Sequence, residues 1–287
     1  AHPLAVIDAE AQTGSGRNRF TLQTAQIAYP HIMTQQVMRE AQLLAVQADI
    51  VIVKRKIGYV AGSGDDEAGI LRQCGYDVEL MSDDSLRTGS LSAFGAIVIG
   101  PRAYNVRSAV RATNNRLLEY VRAGGTLVVQ YQTPGRVVEN IGPYPFKISS
   151  ERVTDETAEM FSAYAGGPLR TIPAGPLAVE RPSLRATDSL GRDIYLKLMT
   201  SPNALTSKDF DAWVQERGLS FATGWDARYT APFICSDPAE QPAQGSLIVA
   251  RYGKGYYCYT GLSLFRQLPA GVSGAFRLLS NLIELSQ

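Results

Sequence analysis

Histidine is almost missing from this chain. Of 287 residues only His2 and His31 are histidine, and none follows. A mechanism that takes a histidine base or metal ligand from the rest of the chain is excluded. Cysteine is nearly as scarce. Cys74, Cys235 and Cys258 stand too far apart for a CxxC-type metal site. Their odd number leaves at least one thiol free or paired between molecules, so the redox compartment stays open. Excess charge is also lacking: 28 Lys+Arg against 27 Asp+Glu give a formal charge of +1. There is no basic surplus to release phosphate counterions, which excludes nucleic acid as the default partner. Basic residues are dispersed, so a polybasic membrane patch is not expected. No apolar run reaches the ~18 residues of a spanning helix. What remains is an ordinary globular composition, 45% hydrophobic, long enough for one large or two small domains with a core that needs no disulfides. The chain starts on Ala with no signal-peptide pattern after it, and reads as a processed chain or a fragment of something longer.

Residues 1–53 read as an N-terminal extension, a small β appendage with strands over 20–27 and within 37–53. Periodicity changes at Lys56. Short apolar strands over 57–61, 77–81, 96–100 and 126–131 alternate with helices over 67–74 and 106–123, the helices closed by Gly75 and by Gly124-Gly125. This alternation implies right-handed βαβ units and a parallel sheet, an α/β domain over 54–287. Residues 164–204 are rich in Pro, Gly, Ser and Thr, predicting an irregular excursion with a hairpin around Gly191. Ser207 is placed to cap a helix over 208–216. Residues 246–260 form a late β-hairpin around Tyr252-Gly253-Lys254-Gly255, and 276–285 an amphipathic closing helix.

In open α/β sheets ligands bind beyond the carboxyl ends of the strands. That rule selects Ser63, Asp65 and Asp66 after the first strand, Arg102, Tyr104 and Asn105 after the third, and Gln132 and Thr133 after the fourth. Asp155, Glu156, Glu216 and Arg217 are further candidates from later loops. A carboxylate pair, a guanidinium, a phenol and amides suit a hydroxyl-rich ligand or a carboxylate. Structural alternatives stand beside each: helix capping by Asp65 and Asp66, an ion pair for Arg102, turn formation by Tyr104 and Asn105, packing for Trp213, and alternation on a half-buried sheet for Tyr252, Tyr256, Tyr257 and Tyr259. Gly62-x-Gly64 is no dinucleotide fingerprint, because position 67 is Glu and the aspartates would repel a pyrophosphate. There is no Walker A sequence. No cofactor and no metal are expected.

Several longer strings are distinctive. They are Ile57-Gly58-Tyr59-Val60 with Gly62-x-Gly64-Asp65, Gly100-x-Arg102-Ala103-Tyr104-Asn105, and Gly124-Gly125-Thr126-Leu127-Val128-Val129-Gln130-Tyr131. Gly142-Pro143-Tyr144-Pro145-Phe146, Arg152-Val153-Thr154-Asp155-Glu156, Trp213-Val214-Gln215-Glu216-Arg217-Gly218-Leu219 and Phe265-Arg266-Gln267-Leu268-Pro269-Ala270-Gly271 complete the set. Together they resemble the C-terminal region of large bacterial PIG-L (LmbE-like) deacetylase family proteins, over about residues 20–287. Tyr29-Pro30-His31-Ile32 is similar to the end of the β region that precedes it there. The resemblance implies a flavodoxin-like parallel sheet flanked by helices, of the class I glutamine amidotransferase-like type. It implies association with a deacetylase domain, and it favours an extracytoplasmic location. The zinc motif of the deacetylase does not occur: after Ala1-His2-Pro3 come Leu4 and Ala5, not carboxylates, so this start reads as a disordered terminus.

Glutamine amidotransferases use a Cys on a strand-to-helix turn and a late His-x-Glu pair. Here the turn reads Gln132-Thr133-Pro134-Gly135 and the late strand runs into Gly261-Leu262-Ser263-Leu264. Both groups are missing, and Cys258 reads as a buried structural thiol. Glutaminase activity is therefore not expected. The leading expectation is a non-catalytic accessory domain that binds a sugar or glycan. The alternatives are a structural or homo-oligomerisation module, and a glycan hydrolase pairing Asp65 or Asp66 with Asp155 or Glu156.

Overall fold

The computed structural model describes residues 4–8, 10–12, 14, 19–46, 48–53, 56–163, 189–200 and 202–286. The chain divides into two compact units, Ala1–Asp49 and Ile50–Gln287. The first unit holds β1 (Leu4–Asp8), β2 (Ala11–Gln12), β3 (Arg19–Phe20), β4 (Leu22–Ile27), β5 (Gln35–Glu40) and β6 (Gln42–Val46), paired antiparallel as β1–β6, β2–β3 and β4–β5. His31 is exposed between β4 and β5, its ring stacked on Tyr29. The predicted strand at 49–53 is not formed. Val51 is instead bonded through its N–H and C=O to the side chain of buried Asn203, and Ile52 packs on the second unit's core. The unit boundary accordingly falls after Asp49 rather than after Val53.

The second unit is built on β7 (Lys56–Val60), β8 (Asp77–Leu80), β9 (Ala96–Ile99), β10 (Thr126–Val129), β14 (Tyr229–Thr230), β16 (Leu247–Tyr252) and β17 (Gly255–Thr260). Their order in the sheet is β14-β16-β17-β10-β9-β7-β8. The run β8-β7-β9-β10-β17 is parallel, and β16 and β14 extend it antiparallel. This is the flavodoxin-like order 2-1-3-4-5. Two-stranded antiparallel pairs join β11 (Lys147–Ile148) to β13 (Ala222–Thr223) and β12 (Phe161–Ser162) to β15 (Phe233–Ile234). Residues 96–99 and 126–129 are wholly buried, as strands covered on both faces require.

The helices are α1 (Glu67–Gln73), α2 (Asp83–Thr88), α3 (Ala103–Val106), α4 (Ser108–Ala112), α5 (Asn114–Ala123), α6 (Ser189–Thr200), α7 (Leu264–Gln267) and α8 (Ser273–Ile283). On one face Tyr59, Val98, Val128 and Cys258 pack with Leu71, Leu198 and Leu278. On the other, Ile97, Leu127, Val129, Tyr257 and Tyr259 pack with Val110, Leu117 and Val121. Alternation along β17 thus accounts for its tyrosines and for Cys258. All three thiols are free, and burial pushes Cys74 and Cys235 up to about 11 and about 12.

Three further expected elements differ. The helix predicted over 106–123 is broken at Arg107 and Thr113. The Arg107 guanidinium is drawn to Asp83 and to the Ala61 and Met81 carbonyls, and its backbone is extended (φ −111°, ψ 110°). The hairpin expected around Gly191 is the helix α6, whose Ile194, Tyr195, Leu198 and Met199 are buried; the rest of that excursion, residues 164–188 and 201, lies outside the described residues, as does Ala1-His2-Pro3. The helix expected over 208–216 is one 3-10 turn, Ser207–Phe210, capped not by Ser207 but by Thr206 in a reciprocal box with Asp209. It stops because the Asp209 and Phe210 carbonyls accept from the Trp213 indole and the Arg217 guanidinium, not from the amides of a next turn. Trp213 is therefore a packing residue off any helix, 3% exposed.

Candidate functional site

The strand order reverses between β7 and β9, so the loops after these strands flank the crevice where open sheets bind ligands. Here that crevice is closed. Ser63 donates its N–H to the Pro101 carbonyl at 2.9 Å, and a Cβ on Gly62 would lie 1.9 Å from the same oxygen. Only glycine permits this approach. Asp65 does not cap α1. Its Oδ2 accepts from the Gly62 N–H at 3.0 Å and its Oδ1 from the Tyr59 hydroxyl at 2.7 Å. Asp66 occupies the cap position without a side-chain cap bond.

Below this turn lies a buried polar cluster that patterning did not single out. The Tyr59 hydroxyl is also 3.3 Å from Oε2 of Glu67, and Gln130 donates its amide to that oxygen. Glu67 is wholly buried, and burial pushes its carboxyl up to about 8, with the nearby Asp65 charge acting in the same sense. A phenol has one proton to give. With Tyr59 donating to Asp65, a protonated Glu67 can donate to the Tyr59 oxygen. The only sequence sign of this cluster was a Glu where a glycine fingerprint would need Gly.

The loops after β9 and β10 are stitched together by the amides expected to touch ligand. Gln132 is wholly buried: its Oε1 accepts from the Tyr104 N–H at 2.9 Å, and its Nε2 donates to the Gln130 and Gly100 carbonyls. Asn105 and Thr133 exchange a reciprocal pair of bonds, each 2.9 Å. Tyr104 is buried, its hydroxyl donating to Asn114. Tyr104, Asn105, Gln132 and Thr133 are brought together by bonds that hold the two loops to each other. No residue from 130 to 134 is left-handed, so the turn has no sharp elbow before Gly135, and Gln132 and Thr133 stand where a cysteine would be needed. Arg102 does have positive φ (59°) and an exposed side chain, without the ion pair considered for it among the described residues.

Beyond β10 and β17 the outer rim carries an aromatic pair. Tyr131 and Phe265 stack with centroids 5.6 Å apart, both half-buried, and the Arg266 guanidinium lies 5.1 Å from the Phe265 ring centre. Arg266 donates to Glu216 Oε1 at 2.5 Å and to Gln215 Oε1 at 2.7 Å, and the Gln215 N–H donates to Glu156. Glu156 and Glu216 thus meet in one polar chain with Arg266. Asp155 is turned into its own loop, accepting from the Thr157 hydroxyl and N–H at 2.6 and 2.8 Å, bonds that hold it below the usual carboxylate range.

Arg217 is not at the rim. It is 2% exposed and donates to the Ala158 and Phe210 carbonyls, tying three segments together. Chemically the outer rim brings two half-buried aromatic rings beside a guanidinium, carboxylates and an amide. That arrangement can stack and hydrogen-bond a polar ring.

No family model and no curated protein matches the chain. Among solved structures it is similar to a β-galactosidase from Rahnella sp. R3, at 14% identity and TM-score 0.42 over 81% of this chain; the chain spans only 32% of that enzyme. It is similar to a cytoplasmic protein from Salmonella typhimurium LT2, at 12% identity and TM-score 0.45, covering 80% of this chain and 98% of that one. A second Salmonella typhimurium cytoplasmic protein matches at 10% identity and TM-score 0.43, over 92% of this chain and 94% of its own. These likenesses carry no statement about ligand or reaction.

Proposed function

We propose that the α/β unit is a non-catalytic accessory domain of a PIG-L-type carbohydrate deacetylase, and that it holds a sugar or glycan on its outer rim. The observation that carries this reading is the Tyr131–Phe265 stack beside Arg266 and Glu216. A hydroxyl-rich ring has an apolar face for the aromatics and donors and acceptors for the flanking charges. The reading is also supported by the motif strings, and by a nucleophile turn occupied by a buried glutamine engaged in three bonds. Thermal shift against N-acetylated and deacetylated oligosaccharides tests it. A saturable rise in Tm that Phe265→Ala abolishes is expected, and a well-folded protein that responds to none contradicts it.

A contact role has its own support. In the N-terminal unit Leu22, Met33 and Met38 are 57%, 87% and 67% exposed, with Phe20, Tyr29 and Val37 also exposed, more apolar surface than a lone two-stranded ribbon can hide. Light scattering reads it: a mass of one chain at all concentrations contradicts self-association.

A further inference from the structure

A concave site lies past the loop that follows β10. Residues from 135–140 and 145–148, with Gly224, line an open cleft of about 480 Å³, within the size range of small-molecule sites. Its floor is apolar: Val138, Phe146 and Ile148. Phe146 is fixed from behind by the rings of Tyr229, Tyr257 and Tyr259, with centroids 5.6, 6.3 and 5.4 Å away. The lip is glycine at two points. Gly135 and Gly224 both have positive φ (149° and 56°), and a Cβ on either would meet open space. Three charges border the cleft: Arg136, Lys147 and Glu139, all exposed and each without an ion pair among the described residues. The balance is one net positive charge beside an apolar lining.

We propose that this cleft binds an organic anion with a flat apolar body, the body on Phe146 and Ile148 and the carboxylate between Arg136 and Lys147. The inference goes beyond the rim reading, because the two sites share no residue. Three matched probes test it on the full chain: 2-naphthoate, the neutral 2-naphthylmethanol, and acetate. Titrations followed by backbone NMR shifts should show saturable binding of 2-naphthoate at 136–148 and Gly224, weaker binding of the alcohol by about tenfold, the worth of one charge-assisted contact, and none of acetate. Arg136→Ala with Lys147→Ala, both on exposed side chains, should weaken 2-naphthoate by about tenfold or more, and Glu139→Gln should strengthen it. Equal binding of acid and alcohol, or 2-naphthoate binding that the double variant leaves unchanged, overturns the assignment. So does the absence of saturable shifts in the cleft. Loss of glycan binding at the rim would leave this result untouched.

Discussion

At the residue scale the most consequential side chain is Glu67, a carboxyl with no solvent contact. Its folded-state value of about 8 lies above the 4.5 of the unfolded chain. The sign follows directly. Between these values the folded state binds the extra proton, so stability is fully present below about pH 4.5 and is lost as pH rises through 8. Glu67→Gln removes the titration while keeping the shape. Its Tm advantage over the parent is expected to grow from pH 5 to pH 8 and then level off; an advantage independent of pH would show that Glu67 is ionised in the fold. Arg217 makes the opposite case, a buried cation satisfied by carbonyls. Arg217→Met leaves the Ala158 and Phe210 carbonyls unpaired and should cost about 2–5 kcal/mol by urea unfolding. A loss within ~0.5 kcal/mol, the scale of an ordinary surface change, would place the guanidinium in solvent.

At the scale of elements, β9 and β10 were legible because each is a short run rich in β-branched residues, preceded by glycine, with every residue covered. The late hairpin and closing helix were legible for similar reasons of turn chemistry and period. Helix 106–123 was over-read, because local propensity cannot register that Arg107 is held by three partners from the β7–α2 region. Helix α6 was under-read. Its apolar residues recur at 194, 195, 198 and 199, but Gly191 and the neighbouring Pro-rich composition outweighed that period.

The site loops were found by topology, since strand ends can be counted. What their side chains do could not be, because Gln132 and Asp65 find their partners only after two loops meet. That meeting has a direct test. Gly62→Ala drives a methyl into the Pro101 carbonyl. Protection of the Ser63 amide against hydrogen exchange is expected to fall by at least tenfold, the equivalent of about 1.4 kcal/mol of opening. Unchanged protection would contradict the closed crevice.

At the scale of the whole molecule, the near absence of histidine and cysteine and the fold tell one story. A sheet of flavodoxin-like order carries, at the turn after β10, a buried amide engaged in structure. The proposed rim site draws Tyr131, Phe265 and Arg266 from segments more than a hundred residues apart, so their meeting could not be read from the motif strings that contain them. The central claim is that this rim binds and does not turn over. The most direct measurement is an NMR titration of the full chain with N-acetylated oligosaccharides, followed by recovery and analysis of the sugar. The account predicts saturable shifts centred on Tyr131, Phe265 and Arg266 with the sugar recovered intact. Shifts absent from those residues, or a sugar recovered cleaved or deacetylated, would contradict it.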